Sequence, residues 1–278
     1  MVVLVTGASG QLGQALYSIS SKYPEIKFHF TDTLEIDITN IEQLRPVFAK
    51  IKPQFCINAA AYTAVDKSES EQDKAYAINV EGAKNIAAVC RDFQTILLHI
   101  STDFVFDGQY NTPYKESDVT NPQGVYGLTK RQGEEAIVAV MEEYFIIRTS
   151  WLYSRFGNNF MKTMLKLGSE RPSLSVVDDQ IGTPTHAVEL AEALIFIIES
   201  GKKAFGIYNY SNEGSTSWYG FAKAIFEFNN VNIQLNSIST SDYPTPAKRP
   251  AYSVLDKTKI KETFGIDILN WEESLKRV

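Results

Sequence analysis

The run Val2-Val3-Leu4-Val5-Thr6, followed at once by Gly7-Ala8-Ser9-Gly10-Gln11-Leu12-Gly13, limits the possible folds more than any other feature of the chain. A short β-branched run suits a strand covered on both faces. The glycines then permit a tight turn and a close backbone approach to a pyrophosphate. Leu12, Ala15, Leu16 and Ile19 recur at helical spacing, so the turn opens a helix. The N-terminus of that helix presents free N–H groups and a positive dipole end to an anion. The spacing is G-x-x-G-x-x-G. Its position between a strand and an amphipathic helix points to a dinucleotide site.

The rest of the first half repeats the rhythm. Strands are expected at Lys27–Thr31, Phe55–Asn58, Ile96–Ser101 and Tyr144–Thr149. Helices are expected at 41–51, Ala75–Arg91 and Tyr126–Met141, with Pro46 kinking the first or shifting its start. Alternating strands and helices imply right-handed βαβ crossovers and an α/β, doubly wound parallel sheet of Rossmann type. After Thr149 the pattern loosens. Helices are expected at 160–168, 186–200 and 217–229, a strand at 205–210, and a structured loop over 242–251 carrying Pro244, Pro246 and Pro250. This predicts a dinucleotide-binding domain over 1–150. Residues 151–278 form a smaller, mainly substrate-binding part that packs on the first and contributes to it.

A chain of 278 residues can bury a sizeable core without staples, and its formal charge of −6 argues against a nucleic-acid surface. Cys56 and Cys90 sit in apolar runs and read as buried, reduced residues. His29, His99 and His186 have no metal-ligand spacing, so no metal is expected. There is no membrane-length apolar stretch and no signal pattern. The expectation is a soluble cytoplasmic protein acting on a small molecule.

Four residues carry chemistry. Asp32 ends the second strand, where an acid accepts from the adenosine ribose and repels the extra phosphate of NADP. No Arg or Lys follows it up to Asn40, and Asp37-Ile38 borders the expected adenine site. Tyr126 and Lys130 stand at i and i+4, one turn apart on one helix face. A free phenol has a pKa of about 10, and a nearby ammonium is expected to lower it. Thr102, at the end of the fourth strand, is placed to hydrogen-bond a substrate carbonyl.

With Gly10-Gln11-Leu12-Gly13, Asn58-Ala59-Ala60-Ala61-Tyr62-Thr63-Ala64-Val65-Asp66, Ser101-Thr102-Asp103-Phe104-Val105-Phe106-Asp107-Gly108, Arg148-Thr149-Ser150-Trp151-Leu152-Tyr153, Gly157-Asn158-Asn159-Phe160 and Pro244-Thr245-Pro246-Ala247-Lys248-Arg249-Pro250, the chain resembles the dTDP-4-dehydrorhamnose reductase family of extended short-chain dehydrogenases/reductases. The resemblance implies NADPH- or NADH-dependent reduction of a nucleotide-linked 4-keto sugar. It assigns Tyr126 as proton donor, Lys130 to the nicotinamide ribose and Thr102 to the carbonyl. Trp151 and Asp103 would touch the sugar, and Arg249 the nucleotide. Gly7, Gly10, Gln11, Leu12, Gly13, Asp32, Asp37, Ile38, Ala61, Tyr62 and Thr63 would line the coenzyme. A homodimer is also implied. Some members share a magnesium at a dimer contact between two glutamates; here the first position is Ala15 and the second acid is displaced to Glu189, so no metal is assigned. Other sugar-nucleotide epimerases and dehydratases, and the regulatory subunit of methionine adenosyltransferase, share the pattern and stand as alternatives.

Overall fold

Side-chain alternation along the first strand sets the layers. Val3 and Val5 belong to one apolar core and Leu4 to another, all three fully buried. Period-two alternation with both faces apolar requires helices above and below. The computed structural model describes residues 1–278. It places β1 (Val2–Thr6), β2 (Lys27–Thr31), β3 (Phe55–Asn58), β4 (Ile96–Thr102) and β5 (Tyr144–Thr149) in one sheet with an edge strand at Gly206–Asn209. From one edge the order is β2, β1, β3, β4, β5 and the 206–209 strand, with every neighbouring pair parallel. The chain leaves β1 first towards β2 and then, from β3 onward, in the opposite direction. The loops at the carboxyl ends of β1 and β3 therefore diverge and open a crevice.

On one face lie α1 (Gln11–Ile19) and the helix Ala187–Glu199. On the other lie α2 (Ile41–Ile51) and the helices Ala83–Asp92 and Val125–Val140. Pro46 neither interrupts α2 nor shifts its start. Asn40 caps it by accepting from Glu42 N at 3.1 Å, and Leu44 and Phe48 anchor it on both sides of the proline. The segment expected as a helix from Ala75 begins earlier, at Gln72, and passes through a π turn at Ala77–Gly82. That turn carries Asn79, whose amide accepts from Tyr62 N (2.8 Å) and donates to Tyr62 O (3.2 Å) and Thr129 Oγ1 (3.1 Å). Single π turns of this kind are frequent beside functional sites.

A third core, with Tyr153, Met161, Met164, Phe221, Ile225 and Trp271, lies wholly in the second half. It joins the first half through few side chains. Gln11 is the main fastener: it donates to Leu152 O (3.0 Å) and accepts from Ser154 Oγ (3.0 Å) and Asn159 Nδ2 (2.7 Å). Residues 187–209 supply a helix and an edge strand to the central layers. No helix is long and apolar enough to cross a membrane.

Candidate active site

A cavity of about 230 Å³ occupies the crevice between β1 and β3. Gly7 forms its lip at φ +72°, a conformation that side chains resist, and a Cβ there would come within 2.6 Å of Ala60 N. Gly13 is equally constrained: its Cβ would lie 2.4 Å from Gly7 O. Gly7, Gly10, Asp32, Asp37, Ile38 and Ala61 all line the cavity. So do Thr6, Ser9, Thr31, Ala59, Ala60 and Ile78, which the motif reading left out. The Asp32 carboxylate accepts from Ser9 N (2.9 Å) and Thr33 N (2.7 Å), and these bonds hold it below the usual carboxylate range, hence ionised, although burial opposes them. Asp37 is bound to Thr39 N and Oγ1.

The other expected coenzyme residues lie around this groove rather than in its lining. The Gln11 side chain is taken up by the second half, and Leu12 is buried in the core, so each offers only backbone. Tyr62 is pinned by Asn79, with its hydroxyl on Glu71, and Thr63 is exposed. The lining is built of small residues, turn backbone, a few apolar side chains and two acids, Asp32 and Asp37. It fits a dinucleotide whose phosphates face the glycine turn and whose ribose faces Asp32.

Beside the crevice, two polar rows replace the apolar alternation at the carboxyl end of the sheet. Thr6, Asn58 and His99 are register partners across β1, β3 and β4, and Ser101 pairs with Arg148 across β4 and β5. All five are buried. The helix Val125–Val140 lies over them, with Tyr126, Lys130 and Glu134 one turn apart. Glu134 accepts from Arg148 Nη2 (2.7 Å), Arg148 Nε (3.0 Å) and Ser101 Oγ (2.5 Å). Removing one partner of such a buried pair costs about 3–5 kcal/mol, so this bridge holds the helix on the sheet. Glu69 accepts from Val125 N at 2.9 Å and anchors the start of the helix.

Lys130 donates to Ile100 O at 2.6 Å and lies 3.2 Å from His99 Nε2. Burial lowers its pKa to about 8, with the Glu134 charge acting the other way. The Tyr126 phenol is pushed up to about 12 by burial and the Asp103 charge, with a hydrogen bond to Thr102 as the opposing effect. The expected lowering by Lys130 is therefore not seen: the amine is held by β4 and burial dominates. The phenol is a proton carrier in this state. Thr102 Oγ1 donates to Asp103 Oδ1 (3.0 Å) and accepts from Phe104 N (3.2 Å). Burial raises the Asp103 carboxyl to about 6, and its Oδ2 has no partner.

A second cavity, of about 810 Å³, is lined by Met164, Arg171, Val176, Trp218, Tyr243 and Arg249 among others. Arg249 reaches it from a braced position: it donates to Asp66 Oδ1 (3.0 Å) and Oδ2 (2.8 Å). Trp151, at φ +44°, stacks on Trp218 with ring centroids 3.5 Å apart and fills the space above Gly182. Trp218, not Trp151, faces this cavity. Trp218, His99 and Asn79 were missed in the sequence because no local spacing marks them. A magnesium does not fit the paired-glutamate positions: Ala15 is buried in the core, and Glu189 Oε2 is occupied by Asn212 and Ser274.

A glycine turn at a sheet switch point, an acid after β2, Thr102 at the end of β4 and Tyr126 with Lys130 on the helix above it define an extended short-chain dehydrogenase/reductase. The family described as the RmlD substrate binding domain matches residues 1–278. A curated dTDP-4-dehydrorhamnose reductase of Aggregatibacter actinomycetemcomitans is 42% identical, over 99% of this chain and 97% of its own. The solved dTDP-4-dehydrorhamnose reductase of Clostridium acetobutylicum is 42% identical with a TM-score of 0.95, covering 100% of this chain and 98% of its own. The Bacillus anthracis enzyme, solved in complex with NADP, is 40% identical with a TM-score of 0.95, covering 99% and 97%. The chain belongs to the dTDP-4-dehydrorhamnose reductase family.

Proposed function

We propose that this protein reduces the C4 ketone of dTDP-4-dehydro-β-L-rhamnose with NADPH or NADH, giving dTDP-L-rhamnose. The observation that carries this is the half-buried Tyr126 phenol, kept protonated beside Thr102 at the end of β4. Net ketone reduction needs a proton donor at that point. The coenzyme, once bound in the β1–β3 crevice, supplies the hydride. Tyr126 gives its proton to the forming C4 alkoxide. The Thr102 hydroxyl turns from Asp103 to the substrate oxygen, and the unpaired Asp103 Oδ2 accepts from a sugar hydroxyl. Lys130 holds the nicotinamide ribose from the floor of the site.

Residues 151–278 act mainly as the substrate-binding part, and the 810 Å³ cavity accommodates the nucleotide end of the sugar. Arg249 supports that end through its brace on Asp66, and Trp151 acts on the sugar through the Trp218 stack. We place the protein in the cytoplasm, in keeping with free, buried Cys56 and Cys90. We also propose a homodimer through α1 and the 187–199 helix, which expose Tyr17 and Phe196; light scattering at micromolar concentration tests it.

The test of the reaction is a coupled assay in which a 3,5-epimerase presents the 4-keto sugar. A reductase oxidises one NAD(P)H per deoxysugar formed. Product formed without coenzyme consumption would instead identify an epimerase.

A further inference from the structure

The polar row beneath the coenzyme crevice contains a conflict among donors. His99 is fully enclosed between two partners, Asn58 Nδ2 at 3.0 Å from its Nδ1 and Lys130 Nζ at 3.2 Å from its Nε2. A neutral imidazole has one N–H and one acceptor nitrogen. An amide NH₂ and an ammonium both donate, so they cannot both be satisfied. Asn58 cannot easily turn over to resolve this. Its Oδ1 accepts from Thr6 Oγ1 (2.7 Å) and Ala60 N (3.3 Å), and a backbone N–H can only donate. Pinned this way, Asn58 makes Nδ1 the acceptor and leaves the proton on Nε2, pointing at the lysine.

We propose that His99 is a positioning residue for Lys130, and that the Asn58 amide, by choosing the His99 tautomer, sets how firmly the lysine amine holds its proton at the floor of the site. This deepens the reductase reading and rests on it. In one state Lys130 is an amine and accepts from Nε2–H, while Nδ1 accepts from Asn58. In the other it is an ammonium donating to Nε2, with the imidazole proton on Nδ1. The two states differ by one proton, which is exchanged with solvent. The Ile100 carbonyl accepts from Lys130 in both.

The surroundings leave this pair in charge. From β1 and β3 the facing groups are neutral, Thr6 and Asn58. On the helix of Lys130, Tyr126 is a neutral phenol and Glu134 is occupied by Arg148 of β5 and Ser101 of β4. Asp103, at the end of β4, bears on Tyr126 rather than on the amine. Burial and the lysine charge hold His99 well below its ordinary pKa, so it remains neutral and acts by tautomer.

Two variants and one measurement on the unaltered protein test this. His99→Gln offers an amide oxygen to the ammonium with no tautomer to choose. Asn58→Asp accepts from Nδ1–H and frees Nε2 as an acceptor. In both, the alkaline limb of kcat/KM, which in the free enzyme reports Lys130, should move up by about one pH unit. Coenzyme KM below that limb should change less than about threefold. A purely structural role for His99 would lower the melting temperature and kcat without moving the limb. In the unaltered protein, ¹⁵N chemical shifts of His99 should show the proton on Nε2 above the limb and on Nδ1 below it. This reading needs neither a stable variant nor the sugar, so it stays separate from failure of the substrate assignment. A limb unmoved in both variants, or a His99 proton that keeps to one nitrogen through the Lys130 titration, overturns the proposal.

Discussion

The side proposed for the coenzyme and the side proposed for the sugar are built by different means. The coenzyme crevice is made of strand ends and turn backbone, with Gly7, Gly13 and Ala60 packed so closely that a methyl group does not fit. Its residues come from consecutive turns after β1, β2 and β3. The sugar side is assembled from side chains far apart in sequence: the Trp151–Trp218 stack, the Gln11 fastener and the Asp66–Arg249 brace. Backbone sites tolerate side-chain change but not loss of glycine. Side-chain sites tolerate backbone drift but fail when one anchor is cut.

Tyr126→Phe tests the junction of the two sides and carries the largest expected effect. It removes only the proton, so kcat should fall by ~10²–10⁴-fold while the coenzyme Kd stays nearly constant. A variant keeping more than about a third of wild-type kcat would remove Tyr126 from the chemistry. Asp103→Asn comes next. The folded carboxyl titrates at about 6 against an ordinary 3.8, so ionised Asp103 lowers stability above about pH 6 and costs nothing below about pH 4. The variant should therefore be more stable than wild type at pH 8 by up to roughly 3 kcal/mol, and the gain should vanish at low pH. A pH-independent difference in denaturation midpoint would contradict the sign.

Trp151→Ala and Trp218→Ala sharpen the comparison on the sugar side. Trp151 is wedged between Trp218 and Gly182, so its loss should cost about 1–3 kcal/mol as well as sugar kcat/KM. Trp218→Ala should raise the sugar KM with the smaller stability loss, and neither should alter the coenzyme Kd. Equal melting temperatures for the two variants would mean the stack is not what holds Trp151. The smallest effect concerns the coenzyme. The cavity lining contains ionised Asp32 and neither Lys nor Arg, so NADH should serve at least as well as NADPH. A preference for NADPH above ~10-fold in kcat/KM, about 1.4 kcal/mol, would show that Asp32 turns away from the ribose phosphate.

Much of the coenzyme side was legible because its signals are local. A glycine turn, an acid at a strand end and i, i+4 residues on one helix each lie within a few residues, and the strands β2 and β5 fall where alternation puts them. The π turn at Ala77–Gly82 was not legible, since the demand for it comes from Tyr62 and Thr129, elsewhere in the chain. The Tyr126 phenol was expected to be lowered by Lys130. Spacing alone shows that two side chains share a face, whereas the direction of a pKa depends on burial and on where the amine points.

The sequence by itself determined the order of the main strands and helices and the glycine turn, and put Thr102, Tyr126 and Lys130 forward as candidates, because hydrophobic period and turn chemistry act over one or two turns of chain. Only the tertiary structure decided that Thr6, Asn58 and His99 form one row, that Arg249 is held by Asp66, and that Trp218 rather than Trp151 faces the cavity. Those contacts join residues separated by tens to nearly two hundred positions. Parallel register and packing bring them together, and no local pattern of residues encodes either.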